Sequence, residues 1–318
     1  MLRRGIQTKL SVVKVLLSRP RGFCAGVERA IEVVIKAHEK FGAPVYVRHE
    51  IVHNRVVVED LQAMGAVFVK SLDDVPTGSH VIFSAHGVAP QVRVEADRLQ
   101  LQAIDATCPL VTKVHVEARN FAAAGMTILL IGHEDHVEVV GVRGEALDNT
   151  IVVFGEDAAE SVEVPDPEKV AVLTQTTLSL DEAERTLTVL RRRFPNLETP
   201  RKEDICYATT NRQLAVKSLN GRVGLWLVIG DKTSSNSNRL RELGASSGVP
   251  AYLVIDASQI EEEWLNGVEF VGVTSGASTP EVSVRSVVER LRELGATHVE
   301  EVDGVSESVE FQLPAEVC

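Results

Sequence analysis

The chain has 318 residues, 44% hydrophobic and 25% charged, with a formal net charge of −12 at pH 7. That balance reads as globular, with length for two or three domain-sized cores. The acidic excess speaks against a nucleic-acid partner, whose phosphates are gripped by clustered Lys and Arg. No apolar run approaches a membrane span, so no membrane partner is expected and a cytoplasmic location is.

The start, MLRRGIQTKLSVVKVLLS, sets basic residues before apolar ones, as a signal peptide would. Lys14 interrupts the run and no small-residue cleavage site follows, so it reads better as a first strand. That strand leads into RPRGFCAGVERA, residues 19–30, where Cys24 stands between Gly22 and Gly26. Glycines there permit a sharp turn, or let something bulky approach the backbone. Val27, Ala30, Ile31 and Val34 then keep helical spacing.

VYVRHEIVHN reads as a strand ending at His53. Its HEIVH matches the zinc-protease H-E-x-x-H pattern, but that pattern needs a helix, and strand geometry splits His49 from His53. AVFVKS is the next strand, and VIFSAHGVAP is another that feeds a helix through His86.

The same order then recurs. In DATCPLVTKVH, Cys108 precedes Pro109, which suits a first helical position. TILLIGHEDH leads to His136, with Glu138 two residues on; TIVVFGED and VAVLTQTTLS follow, the last turning at Thr176. Glu138 alone would pass for a surface carboxylate, but beside His136 it could relay protons into a dry site. The third round opens at DICYATTNRQ with Cys206, followed by Thr209, Thr210 and Asn211 as capping residues. LWLVIGDKTSSNSNR leads to Ser234, Ser235 and Asn236, AYLVID follows, and FVGVTSGASTP turns at Ser278. His53, His136 and Ser234 come 29, 28 and 28 residues after their cysteines.

This is a threefold repeat of architecture with little shared sequence. It predicts an α/β fold of three pseudo-repeated αβα units with mostly parallel sheets: 13–103, 104–198 and 199–295, with a C-terminal tail 296–318. Ligands of open α/β sheets bind at the carboxyl ends of strands, where these turns lie. If the repeats face one axis, three thiolates converge, and each sits at a helix start that favours the thiolate. Structural zinc normally takes four ligands, often in short paired spacings, and the gaps here are 84 and 98 residues. A 4Fe-4S cluster on three cysteines leaves one iron open as a reaction centre, with Gly22 and Gly26 admitting it. Cys318 has no counterpart and reads as a tail thiol. The Ser/Asn cluster is a capped polar loop or an anion pocket. A zinc-dependent hydrolase and a non-catalytic iron–sulfur redox sensor stand as rival readings.

RGFCAGV, YVRHEIVHNR, IFSAHGV, DATCPLVTKVH, LTQTTLS, DICYATTNRQ, SSNSNRL and GVTSGAS, in this order from about residue 13 to about 313, resemble the IspH/LytB family of 4-hydroxy-3-methylbut-2-enyl diphosphate reductases. The resemblance implies a three-lobed fold around a central iron–sulfur cluster and the last step of the methylerythritol phosphate route to isoprenoids. It implies Cys24, Cys108 and Cys206 as cluster ligands. His53, His86, Ser234, Ser235, Asn236 and Ser278 would bind an allylic diphosphate substrate. His136, Glu138 and Thr176 would deliver protons and hold the substrate hydroxyl. An electron donor such as ferredoxin or flavodoxin would be the protein partner. Where the family pattern has proline between the relay His and Glu, this chain has Val137.

Overall fold

A computed structural model describes residues 13–318 of the chain; the basic opening residues weighed above as a signal peptide lie outside them. In chain order, β1 (Val13–Leu17) leads through the Cys24 loop into α1 (Ala25–Phe41). Then come β2 (Val45–Arg48), α2 (Arg55–Ala63), β3 (Ala66–Val69), β4 (His80–Phe83), α3 (Pro90–Arg98) and β5 (Gln102–Asp105). The middle of the chain forms α4 (Pro109–Ala123), β6 (Thr127–Ile131), α5 (Val137–Glu145), β7 (Thr150–Val153), α6 (Gly155–Ser161), β8 (Val170–Thr174) and α7 (Leu180–Arg193). The last third forms α8 (Tyr207–Leu219), β9 (Leu225–Ile229), α9 (Ser235–Ser246), β10 (Ala251–Val254), β11 (Phe270–Ser275), α10 (Glu281–Glu293) and β12 (Ala296–Glu301).

The chain divides into two compact units. Among the described residues the first joins 13–22 with Asn211–Glu307; the second joins Phe23–Thr210 with Ser308–Cys318. The first unit holds one parallel sheet in the order β10-β9-β11-β1-β12. All five residues of β9 are buried. Leu225, Leu227 and Ile229 enter one core with α10, while Trp226 and Val228 enter the other with Leu240 of α9. Period-two alternation in a strand covered on both faces makes such a run apolar throughout.

The second unit holds two parallel sheets, β3-β2-β4-β5 and β7-β6-β8. Val45 and Val47 pack with Ala30, Val33, Val34 and Ala37 of α1. Leu129 and Ile131 of β6 face a core with Leu190 of α7, and Ile128 and Leu130 face one with Val114 and Ala118 of α4.

The repeat is visible in the strand orders. Each sheet contains one triplet, β3-β2-β4, β7-β6-β8 or β10-β9-β11, whose earliest strand lies in the middle. The turns expected to carry function leave the carboxyl ends of adjacent strands in every case.

Two expected boundaries are corrected. β1 does not open a unit over 13–103; it pairs in parallel with β11 and β12, far along the chain. Residues 296–318 are not merely a tail, because β12 closes the sheet edge beside β1 and Val317 is buried against α1 residues. Apolar periodicity identifies a strand but does not say which sheet edge it will pair with, and an unpaired edge at β1 or β11 would be costly. No helix among the described residues is long and apolar enough to cross a membrane.

Candidate active site

The three repeat cysteines all lie in the second unit. Cys24 occupies the N-cap position of α1 and Cys108 that of α4, with Pro109 opening the helix as expected. Cys206 immediately precedes α8, and its N–H donates to Thr176 O at 3.1 Å, which seats it against the end of β8. The Ala25 N–H donates to the Tyr207 hydroxyl at 3.3 Å, tying the start of α1 to the residue after Cys206. A Cβ on Gly26 would lie 2.6 Å from Cys108 Sγ and 3.9 Å from Cys24 Sγ, so only glycine lets both thiols stand beside the first turn of α1.

Gly22, in the first unit, has a different reason. Its φ of +72° is a left-handed conformation, and a side chain there would meet only ordinary van der Waals contact. Of the two glycines, only Gly26 clears space, and the space it clears is beside the Cys108 and Cys24 thiols.

In the metal-free chain the Cys108 and Cys206 thiols are pushed up, not down as their helix starts alone would have them. Burial, then the nearby Cys24 and Cys206 thiols, pushes Cys108 up to about 12. Burial, then Cys24, pushes Cys206 up to about 11, although its Sγ meets the Thr209 hydroxyl at 3.2 Å and the Thr209 N–H at 3.4 Å. Desolvation and mutual repulsion outweigh the end-of-helix field. Among the described residues no group of three His, Cys, Asp or Glu side chains is drawn in around a single metal position. Soft donors, mutual electrostatic coupling and a glycine that clears their approach nevertheless suit a multi-iron group. Cys318 is exposed, with its Sγ near its own strap's carbonyls of Leu313 and Pro314.

Behind β2, β4 and β6 three imidazoles gather in the same unit. The His53 and His86 ring centroids are 4.2 Å apart, and His136 stands 5.7 and 6.2 Å from them. Burial, then His53, lowers His86 well below the ordinary histidine range and lowers His136 to about 4. These two rings are neutral at pH 7. HEIVH is not helical: His49 follows β2 with φ +59° and His53 precedes α2.

Glu138, in the first turn of α5, is 2% exposed. Its Oε1 accepts the Thr176 N–H at 2.6 Å, and its Oε2 meets the Thr176 hydroxyl at 2.8 Å. Burial raises its carboxyl to about 7 in spite of those bonds, and the charge of Asp204 adds to the rise. His136 caps α5 by accepting the Glu138 N–H on Nδ1 at 3.2 Å, so the imidazole meets Glu138 through its backbone. Val137 occupies the first helical position without disturbing this cap.

The remaining expected residues lie in the first unit. Ser234 caps α9, its hydroxyl accepting the Ser237 N–H at 3.3 Å, and half-buried Ser235 opens the helix. Asn236 is 4% exposed, and neither its amide nitrogen nor its amide oxygen has a partner. A Cβ on Gly276 would lie 3.6 Å from Asn236 Nδ2, so this amide faces the turn after β11 that carries buried Ser278. Such an orphaned pair of polar atoms costs about 1–3 kcal/mol each, which a ligand would relieve.

Two residues escape reading by spacing. Asp204, 4% exposed, accepts the Thr174 N–H and the Lys113 ammonium. An aspartate two residues ahead of a strand-end cysteine was the available signal, but its partner Lys113 looks like any helix-surface lysine.

Fold and site define a class: parallel α/β proteins that gather buried thiols, histidines and a buried carboxyl raised toward neutral pH near their strand ends. The profile of the family described as LytB protein matches residues 15–292. The chain belongs to that family. It is 54% identical over 308 residues to the 4-hydroxy-3-methylbut-2-enyl diphosphate reductase of Tolumonas auensis, covering 96% of this chain and 99% of that one. Identity to the reductase of the same name from Acidothermus cellulolyticus is 56% over 305 residues, covering 96% and 90%. The solved E-1-hydroxy-2-methyl-but-2-enyl-4-diphosphate reductase of Plasmodium falciparum superposes with a TM-score of 0.93 at 38% identity, covering 96% of this chain and 97% of that one.

Proposed function

We propose that the chain reduces (E)-4-hydroxy-3-methylbut-2-enyl diphosphate to isopentenyl and dimethylallyl diphosphates, the last step of the methylerythritol phosphate route. Two electrons and two protons are consumed: one proton leaves with the hydroxyl as water, and the electron pair with the other proton forms the new C–H bond. The observation that carries this reading is the Glu138–Thr176 pair, a buried carboxyl that holds a proton near pH 7, in a chain of the LytB family.

Cys24, Cys108 and Cys206, one from each repeat, are read as ligands of a 4Fe-4S cluster with one open iron. When bound, the cluster supplies electrons and a Lewis acid for the departing oxygen. A ferredoxin or flavodoxin is the donor class that suits such an acceptor. Thr176 is read as holding the substrate hydroxyl and Glu138 as delivering the proton, with His136 fixing the start of α5. His53 and the neutral His86 are read as diphosphate ligands. Ser234, Ser235, Asn236 and Ser278 are read as diphosphate ligands in the first unit. Binding energy from a diphosphate remote from the reacting carbon can be used to orient the hydroxyl.

Anaerobic purification, with iron and acid-labile sulfide counts and turnover under a chemical reductant, tests the reading. The native chain and Cys318→Ser should hold iron and turn over. Cys24→Ser, Cys108→Ser and Cys206→Ser should each lose most of the iron. Zinc in place of iron, or iron kept by all three variants, overturns it.

A further inference from the structure

The chain between α7 and α8 has little to hold it. Glu198 makes an isolated parallel bridge to Ala171, and Cys206 N–H reaches Thr176 O. Between those two points, residues 199–205 make no backbone–backbone hydrogen bond among the described residues. Ile205 packs against the core shared by β6, β8 and α7, but a cavity of about 220 Å³ lies beside the rest of the arm. Val172, Thr174 and Leu187 line it on one side, and Pro200, Asp204 and Ile205 on the other.

What fastens the arm is one ammonium. Lys113 Nζ donates to Lys202 O at 2.5 Å, Glu203 O at 3.3 Å and Asp204 Oδ1 at 2.8 Å. Three acceptors on three consecutive residues use the full donor capacity of a lysine. Glu117 Oε2 stands 3.2 Å away as an ion-pair neighbour without hydrogen-bond geometry. The other Asp204 oxygen accepts the Thr174 N–H at 2.9 Å. The arm is thereby registered at once on α4, whose N-cap is Cys108, and on the end of β8, two residues before Thr176.

We infer that Lys113 and Asp204 are positioning residues, a latch that sets the arm and with it the place of the Cys206 thiol relative to Cys24 and Cys108. This rests on the reading of Cys206 as a ligand. Neither residue is asked to touch substrate. Charge-assisted bonds in a partly dry setting are strong enough for the task, and the side chain of Asp204 is 1% exposed.

The arm carries its own reporter, since Arg201 and Lys202 are exposed trypsin sites. In the iron-free chain, Lys113→Met should be nicked after Arg201 or Lys202 about tenfold faster than native, and Cys206 should alkylate faster relative to Cys24. Cleavage within α7 should be unchanged, which separates arm release from general unfolding. In the loaded protein the same variant should release iron to a chelator faster, and Lys113→Arg should restore both rates to near native. Asp204→Asn, which keeps the shape but weakens the ionic grip, should fall between, and it serves if Lys113→Met does not fold. Native rates of nicking, alkylation and iron release in the folded variants overturn the latch. A native chain that holds no iron would instead refute the ligand reading, and nicking and alkylation would still report on the arm.

Discussion

The turns after β6 and β8 and the turns after β9 and β11 leave equivalent strands of one recurring triplet, yet Glu138 and Asn236, in the first helical turns that follow, are in opposite states. In the second unit Glu138 is fully engaged, both oxygens on Thr176. In the first unit Asn236 is as deeply buried and wholly unpartnered. A satisfied, desolvated carboxyl is arranged to keep a proton until something takes it. On the function proposed above, an orphaned amide is free to receive a ligand, and one architecture would serve chemistry at one set of strand ends and binding at the other.

Glu138→Gln attacks the first half of that contrast and should have the largest effect. Glutamine keeps the shape and can still accept the Thr176 N–H, but it has no proton to give. Turnover with a chemical reductant should fall by about 10²–10⁴-fold. Iron content and affinity for the diphosphate should stay native, since no thiol and no residue of the first unit is altered. Near-normal turnover would reduce Glu138 to a structural partner of Thr176.

Asn236→Ala attacks the second half. Loss of a hydrogen bond to a charged diphosphate should weaken affinity by roughly 1.5–3 kcal/mol, about 10- to 150-fold, read by calorimetry. Thermal stability should hold or rise, because the substitution removes two buried orphans. Ser234→Ala sharpens the point from the other side. Its hydroxyl caps α9, so this variant should lose about 1 kcal/mol of stability as well as affinity. An Asn236→Ala protein that melts early and binds normally would show the amide to be structural.

The repeat was legible because it is written in local signals: β-branched runs, capping residues and a polar residue at a near-constant distance from each cysteine. Those signals located Cys24, Cys108, His53, His86, His136, Thr176 and Ser234 at the strand-to-helix turns where the structure has them, and Cys206 just ahead of α8 but after an irregular arm instead of a strand. They could not place β1, because its partners β11 and β12 are chosen by edge pairing some 250 residues away. Thiol protonation was misread for a related reason. The helix start is a local feature, whereas the burial that overrides it comes from the assembled unit. Lys113 was invisible because its three acceptors are backbone and carboxyl groups about 90 residues further on.

The smallest expected effect is the pH dependence, which separates the two halves without moving an atom of the fold. Burial raises the Glu138 carboxyl to about 7, so it is protonated below that pH and increasingly ionised above it. Turnover that needs its proton should be level on the acid side and fall by about tenfold for each pH unit well above 7. His136, at about 4, and His86, lowered well below the ordinary range, stay neutral on that side and supply no competing limb. Asp204, which burial raises to about 6, is already ionised there, and its charge is part of what holds Glu138 up. Glu138→Gln should therefore be slow and flat across the alkaline range, while Asn236→Ala should keep the native slope with a weaker affinity. A native alkaline limb that survives in Glu138→Gln would assign the proton to another group and dissolve the contrast between the two strand ends.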